Sequence, residues 1–88
     1  MNDWCVYIVR CTDMTLYTGI TKDVERRVEE HNSNNNLGAR YTRARRPVEL
    51  VYQESISTRS KASIRESEIK HLSKKEKETL IVDSQKRE

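Results

Sequence analysis

The sequence predicts a small α+β domain: two strands joined as a hairpin, a third strand further along, and about three helices. Three observations lead there. Strand-like runs of β-branched and aromatic residues occupy the first quarter and the middle of the chain. Segments of helical period follow good N-cap residues. The 88 residues suffice for one core and not for two. That core is thin, because the 34% apolar residues and two glycines together make about 36% of the chain, against ~45–50% in ordinary domains.

Trp4-Cys5-Val6-Tyr7-Ile8-Val9, closed by Arg10, reads as a strand buried on both faces. After the polar connection Cys11–Thr15, the alternating run Leu16-Tyr17-Thr18-Gly19-Ile20-Thr21 supplies the return strand of a hairpin. Asp23 is a suitable N-cap for a helix through Val24 and Val28 to His31, ending in the Asn-rich stretch 32–36. Residues 32–47 show no period and read as one long connection of the kind that is usually functional. Val48–Tyr52 reads as the third strand, with Pro47 at its start, where a missing N–H matters least. Ser57 or Ser60 caps a second helix running to about Leu72, and Ser73-Lys74-Lys75-Glu76 is a capping box for a third ending near Val82. Residues 1–83 are thus expected to form a single domain and 84–88 a charged, frayed tail.

The longest apolar run has six residues, Trp4 to Val9, far below the ~20 that cross a bilayer, and the start is polar, so the chain is expected to be cytoplasmic with no membrane partner. Cys5 and Cys11 lie six positions apart around one strand, ~20 Å when extended, and are expected to be free buried or half-buried thiols.

Charge is uneven. Seventeen basic and fourteen acidic residues give +3, yet Arg40, Arg43, Arg45 and Arg46 alone hold +4, leaving the remainder slightly negative. Arginine grips phosphate with two parallel donors, and Tyr41 and Thr42 within the run supply stacking and a hydroxyl. Arg40–Arg46 is therefore a candidate nucleic-acid contact, with a solvated loop as the bland alternative.

Helical spacing puts Arg27 on the stripe of Val24, Val28 and His31, and Glu66 on that of Ala62 and Ile69, so one guanidinium and one carboxylate point inward. Each must find a partner or a ligand, and a salt bridge between them is as good a reading as a site. Arg26 and Glu68 fall outside these stripes, and Ile64 is covered only if the third helix packs over it. A hairpin turning near Asp13 pairs Tyr7 with Gly19 and Val9 with Tyr17, making the two tyrosines diagonal neighbours with space at Gly19 for a ring or a phosphate. Two phenols, an inward Arg, a His and an inward Glu form a plausible phosphodiester site: donors, a cation for phosphate and a carboxylate for Mg²⁺.

Cys5-Val6-Tyr7, Tyr17-Thr18-Gly19 ten residues on, Arg27 eight after the Gly, and Glu66 within Arg65–Lys70, in that order, resemble the GIY-YIG nuclease superfamily. Gly38-Ala39-Arg40-Tyr41-Thr42 and Arg46-Pro47-Val48 are similar to its short single-domain bacterial branch and to the catalytic domain of a structure-specific endonuclease subunit acting on branched DNA. The resemblance implies a three-stranded antiparallel sheet flanked by helices and hydrolysis of DNA by one divalent metal, Mg²⁺ or Mn²⁺. It implies that Tyr17 activates or positions water beside Tyr7, that Arg27 holds the scissile phosphate and that Glu66 binds the metal, with His31 and Tyr41 as further candidates and Gly19 beside the substrate. His71 is expected to be a solvated helix residue. Cys5, Val6 and Thr18 depart from the motif without touching its Tyr and Gly, and the late Asn of some members has no counterpart after Asn36. A DNA endonuclease of repair or recombination is thus expected. RNA remains open as a substrate, as does a protein partner supplying target choice. A non-catalytic nucleic-acid-binding or interaction module is the alternative.

Overall fold

A computed structural model describes residues 3–86. The elements are β1 (Trp4–Arg10), β2 (Leu16–Thr21), α1 (Val24–Ser33), α2 (Arg40–Arg43), β3 (Glu49–Ile56), α3 (Arg59–Lys70) and α4 (Lys74–Gln85). The strands form one antiparallel sheet in the order β2-β1-β3. The apolar run of the first strand is explained by its central place, since a strand flanked by two others and covered above and below has no polar face.

Successive side chains of β1 enter different clusters. Val6 and Ile8 pack with Tyr52, Ala62, Ile69 and Ile81 beneath α3 and α4. Tyr7 and Val9 pack with Cys11, Val24 and Val48 on the side of α1. Cys11 is buried and Cys5 half-buried, both as free thiols.

The hairpin has the expected register, Tyr7 opposite Gly19 and Val9 opposite Tyr17. Its turn is closed by the Asp13 carboxylate, which accepts from the Thr15 N–H at 3.1 Å and the Thr15 hydroxyl at 2.6 Å. Asp23 caps α1 by accepting from the Arg26 N–H, and Ser73 and Glu76 form the reciprocal capping box of α4. The guanidinium of Arg10 meets Glu78 with two bonds, of 2.6 and 2.9 Å, tying the sheet to α4.

Five expectations are corrected. The connection 32–47 contains a short helix, α2, because Thr42 turns inward to a buried partner on α1. Strand β3 continues past Tyr52 to Ile56, since Gln53, Glu54 and Ser55 pair along β1 although they read as polar. The cap of α3 is Thr58, whose hydroxyl accepts from Lys61 N–H, in place of Ser57 or Ser60. Helix α4 runs to Gln85, into the stretch expected to fray, while residues 87 and 88 lie outside the described ones. Ile64 stays 59% exposed, because α4 directs Ile81 to the core and leaves the outer face of α3 open. Among the described residues no helix is long and apolar enough to cross a membrane.

Candidate active site

The site is assembled from four elements. Tyr7 comes from the middle of β1 and Tyr17 from β2, while α1 contributes Arg27 and His31, and α3 contributes Glu66. Tyr7 is buried, and its ring occupies the space that the missing side chain of Gly19 leaves. A Cβ on Gly19 would lie 2.5 Å from the Tyr7 oxygen and 2.7 Å from Cζ. The expectation that Gly19 adjoins the nucleic acid is therefore corrected: the residue is buried, and its opening is filled by the phenol. Gly19→Ala should cost about 1–3 kcal/mol, since Tyr7 is held in the central strand and cannot yield. Thermal unfolding measures this, and an unchanged melting temperature would mean that the ring moves freely.

The phenol of Tyr7 lies 2.7 Å from Nε2 of His31, whose Nδ1 is 2.9 Å from the hydroxyl of Thr42 and 3.4 Å from the Ala39 N–H. Nδ1 thus faces both this N–H and a hydroxyl whose own proton goes to the Ala39 carbonyl at 3.0 Å, and the direction of the Tyr7–His31 bond follows the tautomer of the ring. Burial, reinforced by the charge of Arg27, pushes the His31 pKa down to about 4, keeping the ring neutral. Burial pushes Tyr7 up to about 12. Arg27 opposes that shift, whereas Tyr17 and Glu66 add to it, so all three lie within electrostatic reach of this hydroxyl. Thr42, expected at the nucleic-acid surface, is wholly buried and instead orients His31.

Arg27 and Glu66 do not neutralise each other. Arg27 Nη1 donates to Glu30 Oε1 at 2.9 Å and to the Leu37 carbonyl at 2.5 Å. Glu66 pairs with Lys70 one turn on, at 3.2 Å. Both are only partly buried, with about a quarter of each side chain in solvent. Glu30 and Lys70 escaped the sequence reading, although their i+3 and i+4 spacing was the signal that could have found them.

Tyr17 is half-buried, with its ring edge-on to His31 at 5.2 Å and stacked on Tyr41 at 5.9 Å. The guanidinium of Arg45 lies 4.0 Å from the Tyr41 ring centre and is fastened to Asp13 of the hairpin turn at 3.1 Å. The other arginines of the run differ in circumstance. Arg46 is a staple: its Nε, Nη1 and Nη2 donate to His31 O, Asn35 Oδ1 and Asn34 O, holding the end of α1. Arg43 donates to Asn35 O but stays exposed, and Arg40 is exposed with no partner among the described residues.

Among the described residues no three His, Cys, Asp or Glu side chains gather to hold a metal. Glu66 still fits Mg²⁺, which keeps most of its waters and is commonly held by one or two carboxylates together with substrate phosphates.

Comparison with known proteins places the fold. The family model of the GIY-YIG catalytic domain matches residues 3–79. A UPF0213 protein of Desulfotalea psychrophila is 59% identical over 83 residues, covering 94% of this chain and 74% of its own length. Another, of Staphylococcus saprophyticus, is 52% identical over 81 residues, 92% of this chain and 96% of that one. Among solved structures, a UPF0213 protein of Bacillus halodurans superposes with a TM-score of 0.58 at 41% identity, covering 91% and 83% of the two chains. A protein of E. faecalis gives 0.62 at 34% identity, covering 96% and 88%.

Proposed function

The chain belongs to the GIY-YIG catalytic domain family, and we propose that it hydrolyses phosphodiester bonds of DNA as a divalent-metal-dependent endonuclease acting in repair or recombination. The observation that carries this reading is that Arg27 and Glu66, each bonded to a neighbour on its own helix and not to the other, both act electrostatically on the buried Tyr7 hydroxyl.

Each group has a task in water attack on phosphorus with departure of the alcohol oxygen. Arg27 turns its free donors to the non-bridging oxygens and stabilises the charge that grows there. Tyr17, the more accessible phenol, orients the attacking water and passes its proton to bulk solvent, from which the departing alkoxide takes one to leave as the alcohol. Tyr7 retains its own proton at neutral pH, because its pKa lies near 12, and its phenol is held in place by His31. Glu66 would hold Mg²⁺ or Mn²⁺, which supplies a counter-charge for the phosphate opposite Arg27. Arg40, Tyr41, Arg43 and Arg45 extend the contact beyond the scissile group, whereas Arg46 acts through the shape of the loop.

The test incubates the pure protein with linear, supercoiled, branched and single-stranded DNA, and with RNA, with and without Mg²⁺ or Mn²⁺. Cleavage of DNA by the wild type and its loss in Glu66→Ala are expected. Tight binding without cleavage under every metal condition would replace the nuclease by a binding module.

A further inference from the structure

A second cationic cluster lies at the far end of β2. Thr21 pairs with Cys5, so Lys22 and Trp4, one step beyond, face each other across the strand ends. Lys22 Nζ and the Arg59 guanidinium each lie 5.6 Å from the centre of the half-buried Trp4 ring. Neither cation has a carboxylate within ion-pair distance among the described residues. The nearby Asp23 carboxylate is engaged in capping α1. Two cations against one ring, neither neutralised by a carboxylate among the described residues, leave positive charge at this end of the sheet free for an anion.

The position of the cluster gives it a meaning. Arg59 and Glu66 are seven residues apart on α3, two turns, which places them on one face with ~10.5 Å of rise between them. Helix α3 lies along β2, the strand that carries Tyr17. Tyr41, Arg40 and Arg45 lie at the other end of β2, beside Tyr17.

We propose that Trp4, Lys22 and Arg59 form a second strand-binding site. The two cations hold a backbone phosphate away from the scissile bond, on the side opposite Arg40–Arg45, with the indole lying against the strand. The proposal rests on the nuclease reading and adds to it the path of the substrate. Trp4 packs with the cluster beneath α3 and α4, and Tyr17 with that of α1, so a strand entering over Tyr41 passes the Arg27–Glu66 gap and rounds the edge strand β2 to reach Trp4.

Trp4 is the single tryptophan of the chain, so its fluorescence reports this site and no other. A labelled short duplex and its single strand are titrated into the protein in the presence of a chelator, with label anisotropy reporting total binding. Binding should change the Trp4 emission. In the double variant Lys22→Gln, Arg59→Gln that change should be lost, and the slope of log affinity against log salt should fall by about 0.7–0.9 for one phosphate contact. Arg59→Lys should restore the slope. If the double variant fails to fold, the single variant Lys22→Gln, at an exposed position beyond β2, carries the same slope test. Binding with a silent Trp4, or an unchanged slope in the variants, overturns this site and leaves the nuclease reading standing. Absence of any anisotropy change overturns both.

Discussion

Replacing Arg27 by alanine is expected to lower the rate of DNA cleavage by ~10²- to 10³-fold, the scale of losing one preorganised stabiliser of transition-state charge. The position of the side chain supports so large an effect. Its guanidinium is anchored through one nitrogen by Glu30 and the Leu37 carbonyl, which fixes where the remaining donors point. Only about a quarter of the side chain meets solvent, so its charge acts with less screening than that of an exposed arginine. Arg27→Lys should recover little, since an ammonium offers no parallel pair of donors to two phosphate oxygens. Folding should be nearly intact in both variants, because Glu30 is itself partly solvated and tolerates the loss of its partner. Cleavage kinetics at saturating metal, with circular dichroism as the control, measure the effect. A wild-type rate in Arg27→Ala would remove this residue from the site.

Acid is expected to destabilise the domain earlier than its carboxylates alone would dictate. The folded His31 pKa lies near 4, below the ordinary value of 6.5, so between these values the unfolded chain binds a proton that the folded one does not. Stability therefore rises with pH across that window, is complete above about pH 6.5, and is lost as pH falls toward 4. The full shift corresponds to about 3 kcal/mol, a large share of the ~5–15 kcal/mol that a small domain possesses. Glu78, held below the usual carboxylate range by Arg10, loses its contribution only below its ordinary value of 4.5, so the upper part of the window belongs to His31. Urea unfolding at a series of pH values should show the decline, and His31→Gln should flatten it while lowering stability at every pH. An unchanged pH dependence in that variant would mean that His31 does not titrate on unfolding.

Where local pattern decides structure, the sequence was readable. Strand period and the turn at Asp13 set the pairing of Tyr7 with Gly19, and helical arithmetic turned Arg27 and Glu66 inward while leaving Arg26 outside. Ser73 and Glu76 announced the start of α4. Where a partner distant in sequence decides, it was not. Thr42 is buried because His31, eleven residues earlier, needs its hydroxyl, and a four-residue helix is too short to show a period. Gln53, Glu54 and Ser55 are strand because β1 pairs with them, although the edge position lets them be polar. Counting charge found the run Arg40–Arg46 but could not tell Arg46, fastened to three acceptors of the protein, from Arg40, which faces solvent.

Strand β1 belongs to both apolar clusters: Val6 and Ile8 serve one, Tyr7 and Val9 the other. With so few apolar residues, neither layer can persist once that strand leaves. A fragment that keeps either half should collapse, and the whole should melt as one cooperative unit. The groups on α1 and those on α3 are then gained and lost together, so the candidate site should disappear in the same transition as the fold.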